Sequence, residues 1–126
     1  SVFDQVTIGD PSLKPTVMAA ELWRVVRDLS IVDNDSRIVP GTKALHHILP
    51  ELVVPIDRAY TQRFFRWHNP EFQYGQRQCF EHAFISFVRI ARATNPQQYL
   101  GDGWNSSSTK VIDNAIVGML LTELPP

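Results

Sequence analysis

Apolar side chains recur at helical spacing along most of the chain. Between Thr16 and Ser30 they fall at Met18, Leu22, Val25, Val26 and Leu29, which is one stripe of a helix. A second helix is predicted from about Thr42, with Leu45, Ile48, Leu49 and Leu52 on one face. A proline inside a helix costs about 3 kcal/mol or more. Pro50 therefore predicts an end near Leu49, with Glu51 to Pro55 crossing the core in extended form. Asp57 then reads as the N-cap of a helix through Arg66, with Ile56, Tyr60 and Phe64 turned inward. His68-Asn69-Pro70 breaks the chain. The longest helix is expected from about Tyr74 to Ala93, carrying Phe80, Phe84, Phe87 and Ala91 together with Ala83, Val88 and Ile90. A helix apolar over so much of its surface belongs at the centre of a fold.

The stretches between are polar or punctuated. Residues 2–8 suit an extended arm, Asp10-Pro11-Ser12 a turn, and Val32 to Ser36 a polar loop. Residues 94–106 read as loop, after which Ser107 or Ser108 offers a hydroxyl cap. The last helix should bury Ile112, Ala115, Ile116, Met119 and Leu120 and stop at Pro125-Pro126. About five helices with few strand signals predict an all-α fold, one compact domain over residues 1–126 with residues 1–15 allowing an extended arm.

Composition narrows the class. With 126 residues and 44% hydrophobic side chains, the chain can bury a core without disulfides. The single Cys79 excludes an internal disulfide or a cysteine metal site, and its apolar helical setting favours a small buried residue over a reactive thiol. No apolar run approaches the roughly 20 residues that span a bilayer. The opening SVFDQVTIGD has no basic region, so no signal peptide is expected. A cytoplasmic protein that does not enter membranes is the resulting expectation.

The net charge of −1 argues against a strongly basic nucleic-acid binder, but the charge is uneven. Residues 1–36 carry three basic and six acidic side chains, residues 37–92 eight and four, and residues 93–126 one and three. The middle third is thus where an anion or a nucleic acid would land. Its basic residues are mostly arginines, which suit phosphate and carboxylate. Solvated helix faces with ordinary ion pairs account for the same pattern.

Candidate chemistry concentrates between Gly41 and Arg58. Pro40-Gly41 reads as a turn leading into a helix, whose first amides, at Gly41 and Thr42, would form an anion site with the helix dipole. Lys43 falls in the first turn of that helix, where a positive helix end favours an uncharged amine and hence a nucleophile. Asp57 follows the apolar run Leu52-Val53-Val54-Pro55-Ile56, so partial desolvation would suit it to acid–base work. A helix cap paired with an arginine explains the same residue.

This layout resembles the helix-hairpin-helix DNA glycosylases over about residues 38 to 66. The resemblance implies a hairpin at Pro40-Gly41 on the DNA backbone, Lys43 at the sugar, and Asp57 as the catalytic carboxylate within Pro55-Ile56-Asp57. The second hairpin glycine of that superfamily is missing, and the Lys43-to-Asp57 interval is short for it. A more specific pattern is similar to a group of uncharacterised bacterial proteins. It comprises Gly41-Thr42-Lys43-Ala44-Leu45-His46, then Pro50-Glu51-Leu52, then Pro55-Ile56-Asp57-Arg58. The similarity extends to Tyr60-Thr61 and to Lys110-Val111-Ile112-Asp113-Asn114, and it implies no particular activity.

Other polar and aromatic residues leave alternatives open. His46 and His47 are adjacent and point about 100° apart on a helix, so they do not share a metal easily; no metal or cofactor is expected. Arg58, Arg63 and Arg66 interleave with Tyr60, Phe64, Phe65 and Trp67, a mixture that serves phosphate contact and base stacking or, equally, core packing. Lys110 and Asp113 are three apart and able to pair, while Asp113 and Asn114 are able to reach a polar pocket near Asp57. Three functions follow. The first is a small helical interaction module without catalysis, such as a homodimer using Phe65, Trp67, Phe72 and Trp104. The second is a DNA-contacting domain steered by Arg58, Arg63 and Arg66. The third is an enzyme acting on a small anionic substrate at Gly41 to Lys43.

Overall fold

The computed structural model describes residues 3, 5–29, 37–68, 75–101 and 103–122. Within them the chain forms one all-α domain of five α-helices, with no strand. Helix α1 spans Pro15–Asp28 and starts on a proline, whose missing amide hydrogen has no partner to lose in a first turn. Its buried face, Ala19, Leu22 and Val26, packs chiefly against α4, Gln76–Thr94. Helix α4 buries Phe80, Ala83, Phe84, Phe87, Val88 and Ala91 and forms the centre of the core, as its broad apolar surface predicts.

Helix α2 spans Ile38–Ile48 and corrects the predicted start. Pro40 and Gly41 are not a turn before the helix but lie inside its opening, where proline is tolerated. The Gly41 amide already donates to Arg37 O at 2.8 Å, as an ordinary helical bond. The amides before it, of Arg37 and Ile38, both donate to Gln76 Oε1 of α4, at 2.9 and 3.0 Å. Gly41 serves packing: a Cβ there would stand 2.6 Å from Val26 Cγ1, so its absence lets α1 and α2 approach.

The end of α2 follows the expectation from Pro50, since Leu49 is its C-cap. The chain turns at residues 50–52 and then crosses the core, burying Leu52, Val53, Val54 and Ile56. Helix α3, Tyr60–Phe65, closes on Arg66 in the left-handed region at φ 59°. Two short 3₁₀ turns, Pro96–Tyr99 and Gly103–Asn105, occupy the predicted loop before α5, Ser108–Thr122.

Two predicted core positions are instead exposed: Ile48 at 64% and Met119 at 43%. Ala115 is exposed as well, so α5 buries a narrower stripe of Ile112, Ile116 and Leu120. The expected extended arm is, where described, a run of turns. Ile8 is fully buried and its amide donates to Glu51 O, while Arg92 Nη2 holds the carbonyls of Asp10 and Leu13. Asp10 Oδ1 accepts from both Ser12 N and Ser12 Oγ, which forms the predicted turn and holds the Asp10 carboxyl below its usual pKa. The predicted polar loop at residues 32–36 falls outside the described residues, as do Asn69-Pro70, Phe72, Tyr74, Asp102 and Pro125-Pro126. No helix among the described residues is long and apolar enough to cross a membrane.

Candidate functional site

Three separate stretches of chain meet at one cleft of about 520 Å³, lined by Lys43, His46, His47, Pro55, Asp57, Ser106, Lys110 and Asp113. Helix α2 supplies Lys43, His46 and His47, whose spacing of three and four places them on one helical face. The core-crossing segment supplies Asp57, and the first turns of α5 supply Lys110 and Asp113.

Buried polar contacts fix the stretches to one another. Thr42, fully buried, accepts the Ile56 amide at its Oγ1 at 2.9 Å. Burying that amide without a partner would cost about 1–3 kcal/mol, so the bond specifies where the crossing segment lies against α2. One residue on, Asp57 Oδ1 accepts from Tyr60 N at 2.5 Å and from Thr61 N at 3.3 Å. Thr61 Oγ1 answers by accepting the Asp57 amide at 3.1 Å. Helix α3 thus begins later than the sequence suggested, with Ala59 and not Asp57 at its N-cap position. One oxygen of the Asp57 carboxylate still caps its first amides from the preceding turn. The other accepts no hydrogen bond among the described residues.

Helix α5 is held at its N-terminus by side chains. Ser107 Oγ accepts from Lys110 N at 3.2 Å, and the Glu51 carboxylate accepts from Ser108 N at 3.3 Å. Thr109 Oγ1 donates to Pro50 O at 2.5 Å. The same oxygen lies 3.1 Å from His46 Nδ1, which lies 2.8 Å from Val53 O. Thr109 has one hydroxyl hydrogen and gives it to Pro50, and a carbonyl only accepts. Nδ1 must therefore carry the imidazole hydrogen, which leaves Nε2 as the acceptor of the neutral ring.

Lys110 Nζ and Asp113 Oδ2 pair at 3.4 Å, with Asp113 the more buried partner. Burial raises the Asp113 carboxyl above the usual aspartate pKa. Lys110 pulls it back down by charge and hydrogen bond, Asp57 adds to the rise and His46 opposes it. These influences place Asp57 and His46 within electrostatic reach of Asp113. Lys43 is exposed, and its side chain forms no ion pair or hydrogen bond among the described residues. Neither a family model, nor a curated protein, nor a solved structure matches this chain.

Four of the side chains singled out in the sequence thus converge: Lys43, His46, Asp57 and Asp113. The lysine does so for a different reason than expected. It is the sixth residue of α2, beyond the first turn where the helix dipole acts, so the helix end does not bear on it. The expected anion site of Gly41 and Thr42 amides is not formed, because α2 starts earlier and Gln76 occupies its opening amides. Arg58, Arg63 and Arg66 are exposed on and beside α3 and do not line the cleft, where the cations are lysines. Asn114 turns away, donating to Trp104 O at 2.6 Å and to Asn105 Oδ1.

Phe65 and Trp67 stack on each other at 4.8 Å, and Phe65 meets Phe87 and His82 edge-on. Both rings are half-buried against the core, which removes them as a free stacking platform. Cys79 is half-buried and burial raises its thiol pKa, so the reactive thiolate is disfavoured. No group of three His, Cys, Asp or Glu side chains among the described residues is placed to hold a metal. Thr109 and Ser106 escaped the sequence reading. Thr109 meets His46 across 63 positions, and no local pattern encodes such a contact.

Proposed function

We propose that the domain binds a small polar molecule bearing an anionic group in the 43/46/57/110/113 cleft and is equipped to move a proton on it. The observation that carries this reading is the convergence of two lysines, two histidines and two carboxylates from three sequence-distant stretches on one cleft. Titratable groups gathered in a concave site, with one carboxyl shifted by burial, are the usual mark of a functional site. Lys43 supplies an ammonium that no carboxylate among the described residues pairs with, and so receives the anionic group. His46 Nε2 and the second oxygen of Asp57 offer lone pairs to a hydrogen of the ligand, the base that proton transfer needs. A saturation-transfer NMR screen of monophosphates and monocarboxylates tests the proposal. Hits should disappear with Lys43→Ala and persist with Trp104→Ala; hits indifferent to Lys43→Ala would refute it.

A second reading rests on a different surface. Trp104 is 83% exposed, and Tyr99, Leu100, Met119 and Leu121 are exposed near it in sequence and on α5. Beside them a groove of about 560 Å³ is lined by Phe64, Ile90, Ile116 and Met119, among others. Large apolar side chains left at the surface mark association sites. On this reading the domain is a helical interaction module that self-associates through α5. Sedimentation of wild type against Trp104→Ala tests it: a dimer that the substitution dissociates supports it, and a monomer at every concentration opposes it.

A further inference from the structure

The proposed cleft contains more than a landing place for charge. Its hydrogen-bonding groups are unequal in number and kind. On the donor side, Lys43 is unengaged among the described residues and Lys110 is committed in part to Asp113, while the His47 ring and the Ser106 hydroxyl carry a donor and an acceptor each. Three positions can only accept, and they receive no hydrogen from the described residues. They are His46 Nε2, the second oxygen of Asp57, and Asp113 Oδ1. The tautomer of His46 is the decisive part. Because Thr109 gives its hydrogen to Pro50 and Val53 O only accepts, the neutral ring must present a lone pair at Nε2.

Such a site discriminates by hydrogen-bond polarity. An anion without a hydrogen of its own brings only lone pairs, which face the imidazole lone pair and two carboxylates. A ligand that carries an O–H or N–H beside its anionic group satisfies both sides. It gives its anionic oxygens to Lys43 and its hydrogen to an acceptor. Polar sites built around a substrate hydrogen reject analogues that lack it far more strongly than apolar pockets reject a missing methylene, because the site's own groups are left unpaired.

We infer that this cleft selects anions that carry their own hydrogen-bond donor, such as hydrogen phosphate, hydroxy acids and hydroxylated monophosphates, over aprotic anions such as sulfate. The inference rests on the proposed small-molecule cleft and goes beyond it in naming the ligand class. Simple charge attraction makes the opposite prediction, since near neutral pH sulfate carries at least as much charge as phosphate.

The test is a titration of the isotope-labelled full chain with inorganic phosphate and, separately, with sodium sulfate at matched ionic strength and near neutral pH. Backbone amides and the His46 ring are observed by NMR. Phosphate should produce saturable shifts at Lys43, His46 and Asp113, and sulfate should bind about tenfold more weakly or worse. His46→Leu should bring the two anions to similar affinity while signals outside the cleft stay in place. Should that variant fail to fold, Asp57→Asn provides the second arm. It keeps an oxygen for the α3 cap but adds donors to the cleft, and the preference for phosphate should shrink. Equal affinity of wild type for the two anions overturns the selectivity and leaves the cleft as an anion site. Absence of cleft shifts with either anion overturns the cleft reading itself, and the selectivity with it.

Discussion

Gly41 is the residue whose role changes most between sequence and structure, and its replacement by alanine has a sign that depends on the background. The added methyl would stand 2.6 Å from Val26 Cγ1, well inside the roughly 3.5–4.0 Å of a normal carbon contact. Val26 cannot turn away easily. It is buried in α1, and a β-branched side chain has one strongly preferred rotamer in a helix. Overpacking of this kind costs about 1–3 kcal/mol. Against it stands the intrinsic gain of alanine over glycine inside a helix, about 1 kcal/mol. Gly41 is not in the left-handed region, so no backbone strain enters. Gly41→Ala should therefore lower the stability of wild type by about 1 kcal/mol. Val26→Ala removes two buried methyl groups and should cost ~2 kcal/mol. In that background the clash is gone and the new methyl enters the space left, so Gly41→Ala should stabilise by about 1 kcal/mol. Urea denaturation of the four proteins, at constant m, measures the cycle. The same loss in both backgrounds would refute the close α1–α2 contact as the reason for glycine at this position.

Three further outcomes follow from contacts around the cleft. Thr42→Val orphans the buried Ile56 amide and should cost about 1–3 kcal/mol in urea denaturation, with NMR shifts spreading to Asp57. Asp57→Ala removes the α3 cap and should cost ~1 kcal/mol, whereas Asp57→Asn, which keeps a capping oxygen, should cost a few tenths; equal losses would contradict the capping geometry. Asp113 has a folded pKa above its ordinary 3.8, so the folded state binds more protons than the unfolded state just above that value. Its contribution to stability falls as pH rises from about 3.8 through the raised value, and Asp113→Asn should flatten the stability curve over that window. An unchanged curve in the variant would assign the slope to other groups.

The helices were legible because their apolar stripes repeat over many turns. Phe80, Phe84, Phe87 and Ala91 are all buried, and Pro50 marks the end of α2. The start of α2 was not legible. Pro40-Gly41 looks like a turn locally, but Gln76 from α4 caps the helix before it, from nearly forty residues away. Ile48 and Met119 continue an apolar period yet face outward, because the period alone does not say how wide a stripe the neighbours cover. In the cleft, Lys43, His46, Asp57 and Asp113 were chosen for their local settings, and the fold unites them for a reason the settings did not contain. Their meeting depends on Thr42 gripping Ile56 and on Thr109 bridging Pro50 and His46. Those are pairings of ordinary threonines that no motif announces.

The most direct test of the cleft is an amide-resolved NMR titration of the full chain with glycerol 3-phosphate, which offers one anionic group and two hydroxyls. Saturable shifts should gather at Lys43, His46, Asp57, Lys110 and Asp113 and be lost in Lys43→Ala. Shifts gathered instead around Trp104 and Met119, or no saturable shifts, would contradict a small-molecule site at this cleft.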